Sequence, residues 1–496
     1  MPQPTPVRVV HALTERGFNA ERDAVTLLAR ADDPDAAVTA VIEAIPEDRL
    51  TVTAGDVRSA LDDPSVSGGT TPSQGAGARG ESPPETEGSS ADGHSSSKPA
   101  VSNDITGQST GTGSYGDFVA VFRDRYDRLA SLLRQRVNHR PTDALESMPG
   151  GTEAGLIGMV TDVRSTKNGH WLIELEDTKG TFPVLVMQDR DVADRVDDVL
   201  LDEVIGVEGT LSGDGEILFV DALHFPDVPR TFEPSTADRH VQAALISDVH
   251  VGSQEFLADV WSAFADWLHS PEAADVEYLL IAGDLVEGVG VYPDQDEELS
   301  IVDIYEQYEA FAEHLKAVPG DLEIVLIPGN HDAVRLAEPQ PGFDEELRDI
   351  LSVHDPQIAG NPSVVTVEGV SILMYHGVSL DEVVAEHPDE AVSYREPHRP
   401  MAKLLQKRHL APTFGGKMRL APEERDYLVI DEVPDVLHGG HVHKLGVGSY
   451  HGVRIVNSGC WQAQTEFQRN VNIEPDPGTA PILDLDTLDV TVRKFT

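Results

Sequence analysis

The chain has 496 residues, which is enough for two to four domains. Acidic residues outnumber basic ones by 86 to 37, so the formal net charge is −49, which argues against binding of nucleic acid through overall charge. Because lysine is scarce and the carboxylates are spread along the chain, we interpret this charge as adaptation to concentrated salt, as in a halophilic protein.

The cysteine content and the hydropathy exclude two further classes. The single cysteine, Cys460, excludes a disulfide framework and a thiolate zinc site within this chain. No apolar run approaches the roughly 18 residues of a membrane span, and the N-terminus lacks the pattern of a signal peptide. We therefore expect a cytoplasmic protein that does not contact membranes.

The first 150 residues divide into three segments. Residues 1–62 have apolar positions at helical spacing and predict a small helical module, with Thr53 as an N-cap. Residues 63–114 are rich in Gly, Ser, Pro and Thr and predict a disordered linker. Residues 115–150 begin with an amphipathic helix, followed by a connection; we expect its apolar stripe to pack in a core. That stripe consists of Phe118, Phe122, Tyr126, Leu129 and Leu133.

Residues 151–230 change to a period of two, which is typical of half-buried strands. Five short strands, with a hairpin at DTKG between the second and third, predict a small barrel of the OB type. Barrels of this type bind single strands through exposed aromatic rings. Only Trp171 and Phe182 are obvious candidates, so a scaffold or interaction role is at least as well supported.

Residues 240–496 alternate between strands and helices. The near-continuous apolar strands VQAALISD, YLLIAGD, EIVLIPGN, VSILMYHG, VPDVLHGG and VRIVNSG indicate burial on both faces. This pattern predicts a layered α/β domain. The overall prediction is a multidomain chain with a helical module, a barrel and an α/β domain.

Polar side chains follow five of these strands where the apolar run ends. They are Asp248 and His250 in ISDVHVGS, Asp284 and Glu287 in AGDLVEG, Asn330 and His331 in IPGNHD, His376 in MYHG, and His441 and His443 in HGGHVH. Ligands of open α/β sheets bind beyond the carboxyl ends of the strands. Each motif alone is compatible with a capped turn, but the five together predict one shared metal site.

The types of side chain indicate which chemistry the site supports. Carboxylate, imidazole and amide groups without a thiolate suit Mn²⁺, Fe or Zn. Seven ligands are too many for one tetrahedral ion but fit two ions that share a bridging carboxylate. Two ions about 3.5–4 Å apart generate a nucleophile at neutral pH and stabilise both oxygens of a phosphoryl displacement. The residues therefore favour hydrolysis of phosphoesters.

The same motifs resemble those of the calcineurin-like metallophosphoesterase superfamily across roughly residues 240–460. Within it, the chain is similar to the small subunits of archaeal family D DNA polymerases, which share the order of module, tether, OB barrel and phosphoesterase. The resemblance implies a large catalytic subunit as partner and DNA, single-stranded or at a primer 3′ end, as substrate. Because every ligand position is kept, it implies an active 3′→5′ exonuclease.

The resemblance also implies roles for individual positions. Asp248, His250 and His443 would hold the first ion, and Asp284 would bridge. Asn330, His376 and His441 would complete the second ion, with Mn²⁺ as the expected metal and Fe, Zn or Mg as alternatives. His331 would stay free of metal beside the scissile phosphate and either stabilise charge or protonate the leaving 3′-oxygen. Glu287 would orient His331, although a shorter Asp is frequent at this position in relatives. His438 has no counterpart among the ligands, and we expect it to be buried and structural.

A basic segment at residues 395–419 reverses the local charge. We predict that it forms a track for DNA phosphates, the alternative being a solvated helix face. The residues concerned are Arg395, Arg399, Lys403, Lys407, Arg408, Lys417 and Arg419.

Three hypotheses for function follow. The first is the proofreading small subunit of a two-subunit polymerase, which removes 3′ nucleotides and supports synthesis by its partner. The second is a catalytically silent scaffold subunit. The third is a stand-alone metallophosphoesterase for small phosphoesters, which the barrel and the basic segment disfavour.

Overall fold

The computed structural model of the chain describes residues 5–14, 16–31, 33–45, 51–62, 97–109, 111–292, 295–387, 392–416, 418–470 and 473–496. Within these ranges, none of the helices combines the length and the apolar character needed to cross a bilayer.

The N-terminal module contains four short helices and a two-stranded parallel pair. The elements are α1 (Thr5–Thr14), β1 (Asn19–Ala20), α2 (Arg22–Ala29), α3 (Pro34–Ala44), β2 (Thr51–Val52) and α4 (Ala54–Asp62). Leu13, Leu28 and Val41 form a small core. Helix α4 begins as the sequence predicts, because the Thr53 hydroxyl accepts a hydrogen bond from the Asp56 backbone N–H at 3.2 Å.

The predicted linker at residues 63–114 is shorter than expected. Residues 63–96 lie outside the described residues, but β3 (Ala100–Ser102) pairs antiparallel with the strand Ser363–Val367. Ile105 is buried, and the Asp104 carboxylate accepts a hydrogen bond from the Gly360 backbone N–H at 2.8 Å. The prediction of disorder is therefore wrong for this last part, because its strand partner is distant in sequence and local composition does not reveal it.

The next helix, α5 (Tyr115–Leu133), links the barrel to the α/β domain and is followed by α6 (Thr142–Leu145). The predicted stripe is buried at Tyr126, Leu129 and Leu133, whereas the Phe118 and Phe122 rings are partly exposed and pack against Phe414. The Tyr126 hydroxyl donates to the Ile157 carbonyl at 3.2 Å. Core packing of the stripe is therefore confirmed for its second half.

Five strands close into a barrel with the order β4-β5-β6-β8-β7. They are β4 (Glu153–Ser165), β5 (Trp171–Glu176), β6 (Thr181–Val186), β7 (Val204–Leu211) and β8 (Leu218–His224). Strands β6 and β8 are parallel, and the other neighbours are antiparallel. The Phe182 ring is buried in the barrel core and is not available for stacking with a base. Trp171 is partly buried beside the same core.

The α/β domain contains two six-stranded sheets that pack face to face. The first sheet has the order β13-β11-β10-β9-β20-β21 and the second sheet has the order β18-β19-β17-β15-β14-β3. Its strands are β9 (Gln242–Ile246), β10 (Val276–Ala282), β11 (Glu323–Ile327), β12 (Ala337–Glu338), β13 (Gln357–Ile358), β14 (Ser363–Val367), β15 (Val370–Met374), β16 (Arg419–Leu420), β17 (Val436–Gly439), β18 (Leu445–Tyr450), β19 (Val453–Ser458), β20 (Thr479–Asp484) and β21 (Val490–Lys494). Strands β12 and β16 form a separate parallel pair.

Helices cover the outer faces of both sheets. They are α7 (Ala258–Leu268), α8 (Ile304–Lys316), α9 (Glu345–Ile350), α10 (Leu380–Glu386) and α11 (His398–Lys407). The short helix α12 (Glu466–Asn470) follows β19. Trp261 and Phe311 pack against the first sheet, while Leu404 packs against the second. Leu280 and Ile372 lie in the core between the sheets. Burial on both faces explains why the strands are nearly continuous apolar runs.

Candidate metal centre

All nine side chains predicted for the site meet at one edge of the α/β domain. The loops after β9, β10 and β11, which are neighbours in the first sheet, carry Asp248 and His250, Asp284 and Glu287, and Asn330 and His331. The loops after β15 and β17, neighbours in the second sheet, carry His376, and His441 and His443. Because these strands are parallel, their carboxyl ends deliver the loops to the same edge.

The backbone of the site is left-handed at five of the nine residues. Asp248, His250, Asp284, His441 and His443 have φ between 52° and 70°. This conformation is unfavourable for residues other than glycine and is found where the fold holds a functional group in place. The Asp284 carbonyl is part of that support, because it accepts a hydrogen bond from the Val249 backbone N–H at 2.8 Å.

Two glycines leave space for the site carboxylates. A Cβ atom on Gly440 would lie 2.3 Å from Asp248 Oδ2, and one on Gly329 would lie 2.2 Å from Asp284 Oδ1. Any larger residue would displace a carboxylate. The glycines of GGHVH and PGNHD are therefore required by close packing around the site.

The first group of candidate ligands consists of Asp248, His250 and His443, all of them buried. His250 Nε2 lies 2.9 Å from His443 Nε2, and His443 Nε2 lies 3.5 Å from Asp248 Oδ1. Two ring nitrogens this close can both contact one ion at about 2.1 Å. This group therefore fits a single divalent ion.

The second group consists of Asp284, Asn330, His376 and His441. His376 Nε2 lies 3.2 Å from Asp284 Oδ2 and 3.1 Å from Asn330 Oδ1, and His441 Nδ1 lies 3.1 Å from the same amide oxygen. Asp284 Oδ2 is also 3.7 Å from His250 Nε2. Asp284 thus lies between the two groups, where a bridging carboxylate would be needed. The oxygen and nitrogen donors fit two borderline or hard divalent ions.

The outer nitrogen of each of these four histidines faces a partner outside the two groups. His376 Nδ1 donates to the Ala282 carbonyl at 2.8 Å, and His250 Nδ1 lies 3.0 Å from Glu287 Oε2. The outer nitrogens of the other two histidines face side chains that the sequence did not single out, namely Asp381 at 3.7 Å from His441 Nε2 and Gln468 at 2.8 Å from His443 Nδ1. Such contacts set the ring orientation of metal-binding histidines.

The electrostatics of the cluster depend on carboxylate–imidazole pairs. Burial by itself lowers the pKa of His376, but the Asp284 and Asp248 carboxylates outweigh it and raise that pKa to about 10. Burial also lowers the pKa of His250, and Glu287 and Asp284 outweigh it and raise the pKa to about 9. Burial raises the pKa of Asp248. An arriving cation would therefore replace protons on the histidines.

His331 has a different environment from the four histidines above. Its side chain is 18% exposed, and its Nδ1 donates to the Glu287 carbonyl at 2.7 Å. Its backbone N–H donates to Asp284 Oδ1 at 2.8 Å. The His331 ring lies on the wall of the pocket.

The structure corrects the predicted role of Glu287. Its carboxylate Oε1 is 3.9 Å from His331 Nδ1, which is beyond hydrogen-bonding distance. The backbone carbonyl of Glu287 orients His331, whereas its carboxylate faces His250. The motif predicts that an acid lies near this histidine, but only the loop geometry decides which atom of the acid makes the contact.

A pocket of about 1000 Å³ opens over the cluster. The site residues His250, Asp284, Glu287, His331, His441 and His443 form part of its wall. Its rim adds two aromatic rings and two cations: Tyr292, Tyr394, Arg395 and Lys444. Lys444 pairs with Asp476 at 3.0 Å. A pocket of this size holds a substrate larger than a single phosphate group.

The basic segment at residues 395–419 does not form one surface. Arg395 lines the pocket, Arg399 pairs with Glu396 at 3.1 Å, and Arg419 is exposed. Lys417 lies outside the described residues. Lys403 pairs with Asp198, which belongs to the barrel region.

The prediction of DNA contact is wrong for Lys407 and Arg408, both of which are buried. Lys407 Nζ lies 2.9 Å from Glu203 Oε2 and 3.6 Å from the centre of the Phe225 ring. Arg408 donates to the Ile430 carbonyl at 2.8 Å. Lys407 thus neutralises a buried acid where the α/β domain meets the barrel, and Arg408 donates to a backbone carbonyl. A local excess of basic residues therefore did not mark a solvent-exposed surface.

His438 is buried and lies behind the site, as the sequence predicts. Its Nε2 is 3.2 Å from the Ser458 hydroxyl, which is 2.9 Å from the Ser247 hydroxyl. Ser247 in turn donates to Asp248 Oδ2. Burial lowers the pKa of His438 to about 3, so the ring is neutral near pH 7. His438 therefore supports a candidate ligand through two serines.

Comparison with known proteins agrees with this geometry. The family model for the B subunits of DNA polymerases alpha and epsilon matches residues 243–444, a range that contains all nine site residues. The DNA polymerase II small subunit of Halobacterium salinarum is 64% identical over 507 residues and covers 100% of both chains. That of Archaeoglobus fulgidus is 43% identical over 77% of this chain and 78% of its own.

A more distant relative agrees as well. The DNA polymerase II small subunit of Pyrococcus furiosus is 40% identical over 75% of this chain and 62% of its own. The 64% identity to the Halobacterium salinarum protein extends over the full length of both chains, and the family model matches the range that contains the five site loops. The chain therefore belongs to the DNA polymerase II small subunits.

Proposed function

We propose that this small subunit hydrolyses DNA phosphodiesters from the 3′ end, with two divalent ions in the site, and that it does so in complex with a large catalytic subunit. The domain assignments that accompany this proposal are an OB-type barrel and a calcineurin-like phosphoesterase domain. The parallel contact between the third and fifth barrel strands and the two facing sheets support them. Mn²⁺ is the metal we propose, with Fe, Zn and Mg as alternatives.

The observation that carries the proposal is a set of seven converging donors with His331 beside it, whose Nδ1 donates to the Glu287 carbonyl. Asp248, His250 and His443 would hold one ion, and Asn330, His376 and His441 the other, with Asp284 between them. When bound, such a pair supplies activation of water and neutralises charge on the phosphoryl group. A subunit that only acts as a scaffold does not need seven converging donors.

The protein's own contribution to the reaction centres on His331. The Glu287 carbonyl accepts a hydrogen bond from His331 Nδ1 at 2.7 Å, which fixes the ring and points Nε2 away from that carbonyl. A protonated Nε2 can donate to the leaving 3′-oxygen of the shortened strand as the P–O bond breaks, and the released nucleotide keeps the phosphate. Imidazole is the side chain used most often for such proton transfer.

Arg395 favours a polynucleotide over a small phosphoester. It is exposed on the pocket wall next to Tyr394, in a chain whose net charge is −49. A guanidinium there can pair with a phosphate next to the scissile one, and the rings of Tyr292 and Tyr394 offer faces on which bases can stack. These features distinguish the pocket from one that takes a simple monoester.

The test uses the purified chain with Mn²⁺, with and without the large subunit, on single-stranded DNA labelled at its 5′ end and on a small aryl phosphodiester. We expect a ladder that shortens from the 3′ end, and we expect His331→Ala to abolish it while binding of Mn²⁺ and of the large subunit is retained. Inactivity of both preparations on both substrates would favour the scaffold hypothesis. Turnover of the small ester alone would favour a stand-alone phosphoesterase. Undiminished digestion by His331→Ala would refute the role of this residue.

A further inference from the structure

The Glu287 carboxylate is buried within a dense set of polar contacts. Oε2 is 3.0 Å from His250 Nδ1 and accepts a hydrogen bond from Gln462 Nε2 at 2.7 Å. Oε1 accepts from the Tyr292 hydroxyl at 3.2 Å and from Gln295 Nε2 at 3.4 Å. Glu287 itself is only 2% exposed. The carboxylate is therefore held in place from several sides and is directed at His250.

Orientation of His331 does not require this carboxylate. The Glu287 carbonyl already accepts the hydrogen bond from His331 Nδ1, and Oε1 is 3.9 Å from that nitrogen. A backbone carbonyl is present whichever residue occupies position 287. Any role of the Glu287 carboxylate therefore has to come from its other contacts, of which His250 is the one in the site.

We propose that Glu287 is a positioning residue for the first ion, acting through His250. This inference rests on the proposed two-ion site and goes beyond it by giving Glu287 a role in metal affinity. The carboxylate lies within ion-pair distance of Nδ1 of the imidazole, at 3.0 Å, and Nε2 faces His443 and Asp248, at 2.9 Å from His443 Nε2 and 3.9 Å from Asp248 Oδ1. A carboxylate behind a histidine ligand raises its basicity and fixes its tautomer.

The second ion should be independent of Glu287. Its candidate histidines have other neighbours: His376 Nδ1 donates to the Ala282 carbonyl at 2.8 Å, and His441 Nε2 faces Asp381 at 3.7 Å, beyond hydrogen-bonding distance. Loss of the Glu287 carboxylate should therefore weaken one of the two ions and spare the other. This selectivity separates a positioning role from a general loss of folding.

The experiment is a titration of the full-length protein with Mn²⁺. Binding is measured by calorimetry and, independently, by the electron paramagnetic resonance signal of the free ion. For Glu287→Ala we expect the affinity of one of two ions to fall by about 10- to 100-fold, with the other unchanged. Glu287→Gln keeps an oxygen that can face His250 Nδ1, so we expect a smaller loss than in Glu287→Ala. Glu298→Gln is the matched control, because its carboxylate contacts the same Tyr292 hydroxyl at 3.2 Å, and we expect wild-type affinity.

Nuclease assays over a range of Mn²⁺ concentrations provide a second measurement. We expect excess Mn²⁺ to restore the activity of Glu287→Ala, whereas His331→Ala stays inactive at every concentration. If the affinity for both ions is unchanged and excess Mn²⁺ does not restore the lost activity, the proposal is overturned. Glu287 would then act on His331 and not on the first ion. If the wild-type protein binds two ions but leaves DNA intact, only the proposed function fails. If it binds no Mn²⁺, both fail.

Discussion

Two clusters of buried charge in this molecule are built from different kinds of cation. Where the barrel meets the α/β domain, Lys407 pairs with Glu203 at 2.9 Å and Arg125 pairs with Asp426 at 2.7 Å. At the edge of the sheets, Asp284 has a histidine, His376, at 3.2 Å. Lysine and arginine keep their charge near neutral pH, whereas imidazole can give up its proton.

This difference distinguishes the interface between the two domains from the candidate metal site. A buried pair with a permanent cation is already neutralised and leaves no place for a metal. A cluster of carboxylates and imidazoles can exchange protons for divalent cations without moving the backbone. Five predictions test this contrast, from the largest expected effect to the smallest.

Replacement of the shared carboxylate should have the largest effect. Asp284 faces His376 at 3.2 Å and His250 at 3.7 Å, so Asp284→Ala removes a ligand from both groups. We expect hydrolysis to fall by at least about 10³-fold, since each ion is worth several kcal/mol in the transition state. The matched control is Asp35→Ala, because that carboxylate pairs with the exposed Arg8 at 2.9 Å in the N-terminal module and does not line the pocket. Mn²⁺-dependent activity of Asp284→Ala equal to that of the control would contradict the shared site.

The interface cluster should instead affect stability. Lys407→Ala leaves the buried Glu203 without its cation, which should lower the free energy of unfolding by about 3–5 kcal/mol, as measured by denaturant titration. Activity per folded molecule should not change. The double change Lys407→Met with Glu203→Leu should recover most of the loss, because it removes both charges together. An equal loss in the double variant would show that packing, and not charge, dominates at this interface.

The affinity of the candidate metal site for Mn²⁺ should depend on pH, which would distinguish this site from the ion pairs at the domain interface. The folded pKa of His376 is about 10 and that of His250 about 9, both above the ordinary value of 6.5. Both histidines are therefore protonated in the metal-free protein at pH 7, and binding of ions releases protons. We expect Mn²⁺ affinity to rise between pH 6 and pH 9, by about tenfold per unit for each proton released, in calorimetry with buffers of different ionisation enthalpy.

The stability of the metal-free protein should change with pH in the opposite direction to the Mn²⁺ affinity. A raised pKa contributes stability that is complete below pH 6.5 and is lost as the pH rises toward about 10 for His376. Thermal unfolding in a chelator should therefore become easier with increasing pH over this range, while saturation with Mn²⁺ should remove the trend. An affinity for Mn²⁺ that does not change with pH would contradict the proton exchange.

The smallest effect is expected for Arg395, on the wall of the pocket, and concerns the affinity for DNA. Arg395→Ala should weaken binding of single-stranded DNA a few-fold and reduce the dependence of affinity on salt concentration by about one counterion. Arg399→Ala is a suitable control, because Arg399 already pairs with Glu396 at 3.1 Å. Fluorescence anisotropy at several salt concentrations measures both. An identical salt dependence in the wild type and in Arg395→Ala would argue against a phosphate contact.

The parts of the site that were predictable share one property. Asp248, Asn330 and His376 each follow an apolar strand that is buried on both faces, and the ends of parallel strands must lie at a common edge. The side chains missed by the sequence, Asp381 and Gln468, lie outside those strand ends, within α10 and α12. No spacing rule connects them to the histidines that they face.

Two of the predictions that failed depended on composition alone. Lys407 and Arg408 belong to a locally basic segment, but a count of charges does not say whether a side chain faces solvent or an acid of another domain. The strand β3 lies next to a Ser- and Gly-rich segment, and its partner β14 is distant from it in sequence. Both errors concern contacts between distant parts of the chain.

The sequence by itself determined the alternation of strands and helices, the five barrel strands and the set of donor residues, because hydrophobic periodicity and strand ends are local properties of the chain. Only the tertiary structure decided which atoms of these residues meet. In this structure the Glu287 carboxylate faces His250, and the Glu287 carbonyl accepts a hydrogen bond from His331. Lys407 of the basic segment is buried against Glu203 where the two domains meet. Such choices depend on the packing of loops from separate strands within a few ångströms of one another, and that packing is not encoded in any single stretch of residues.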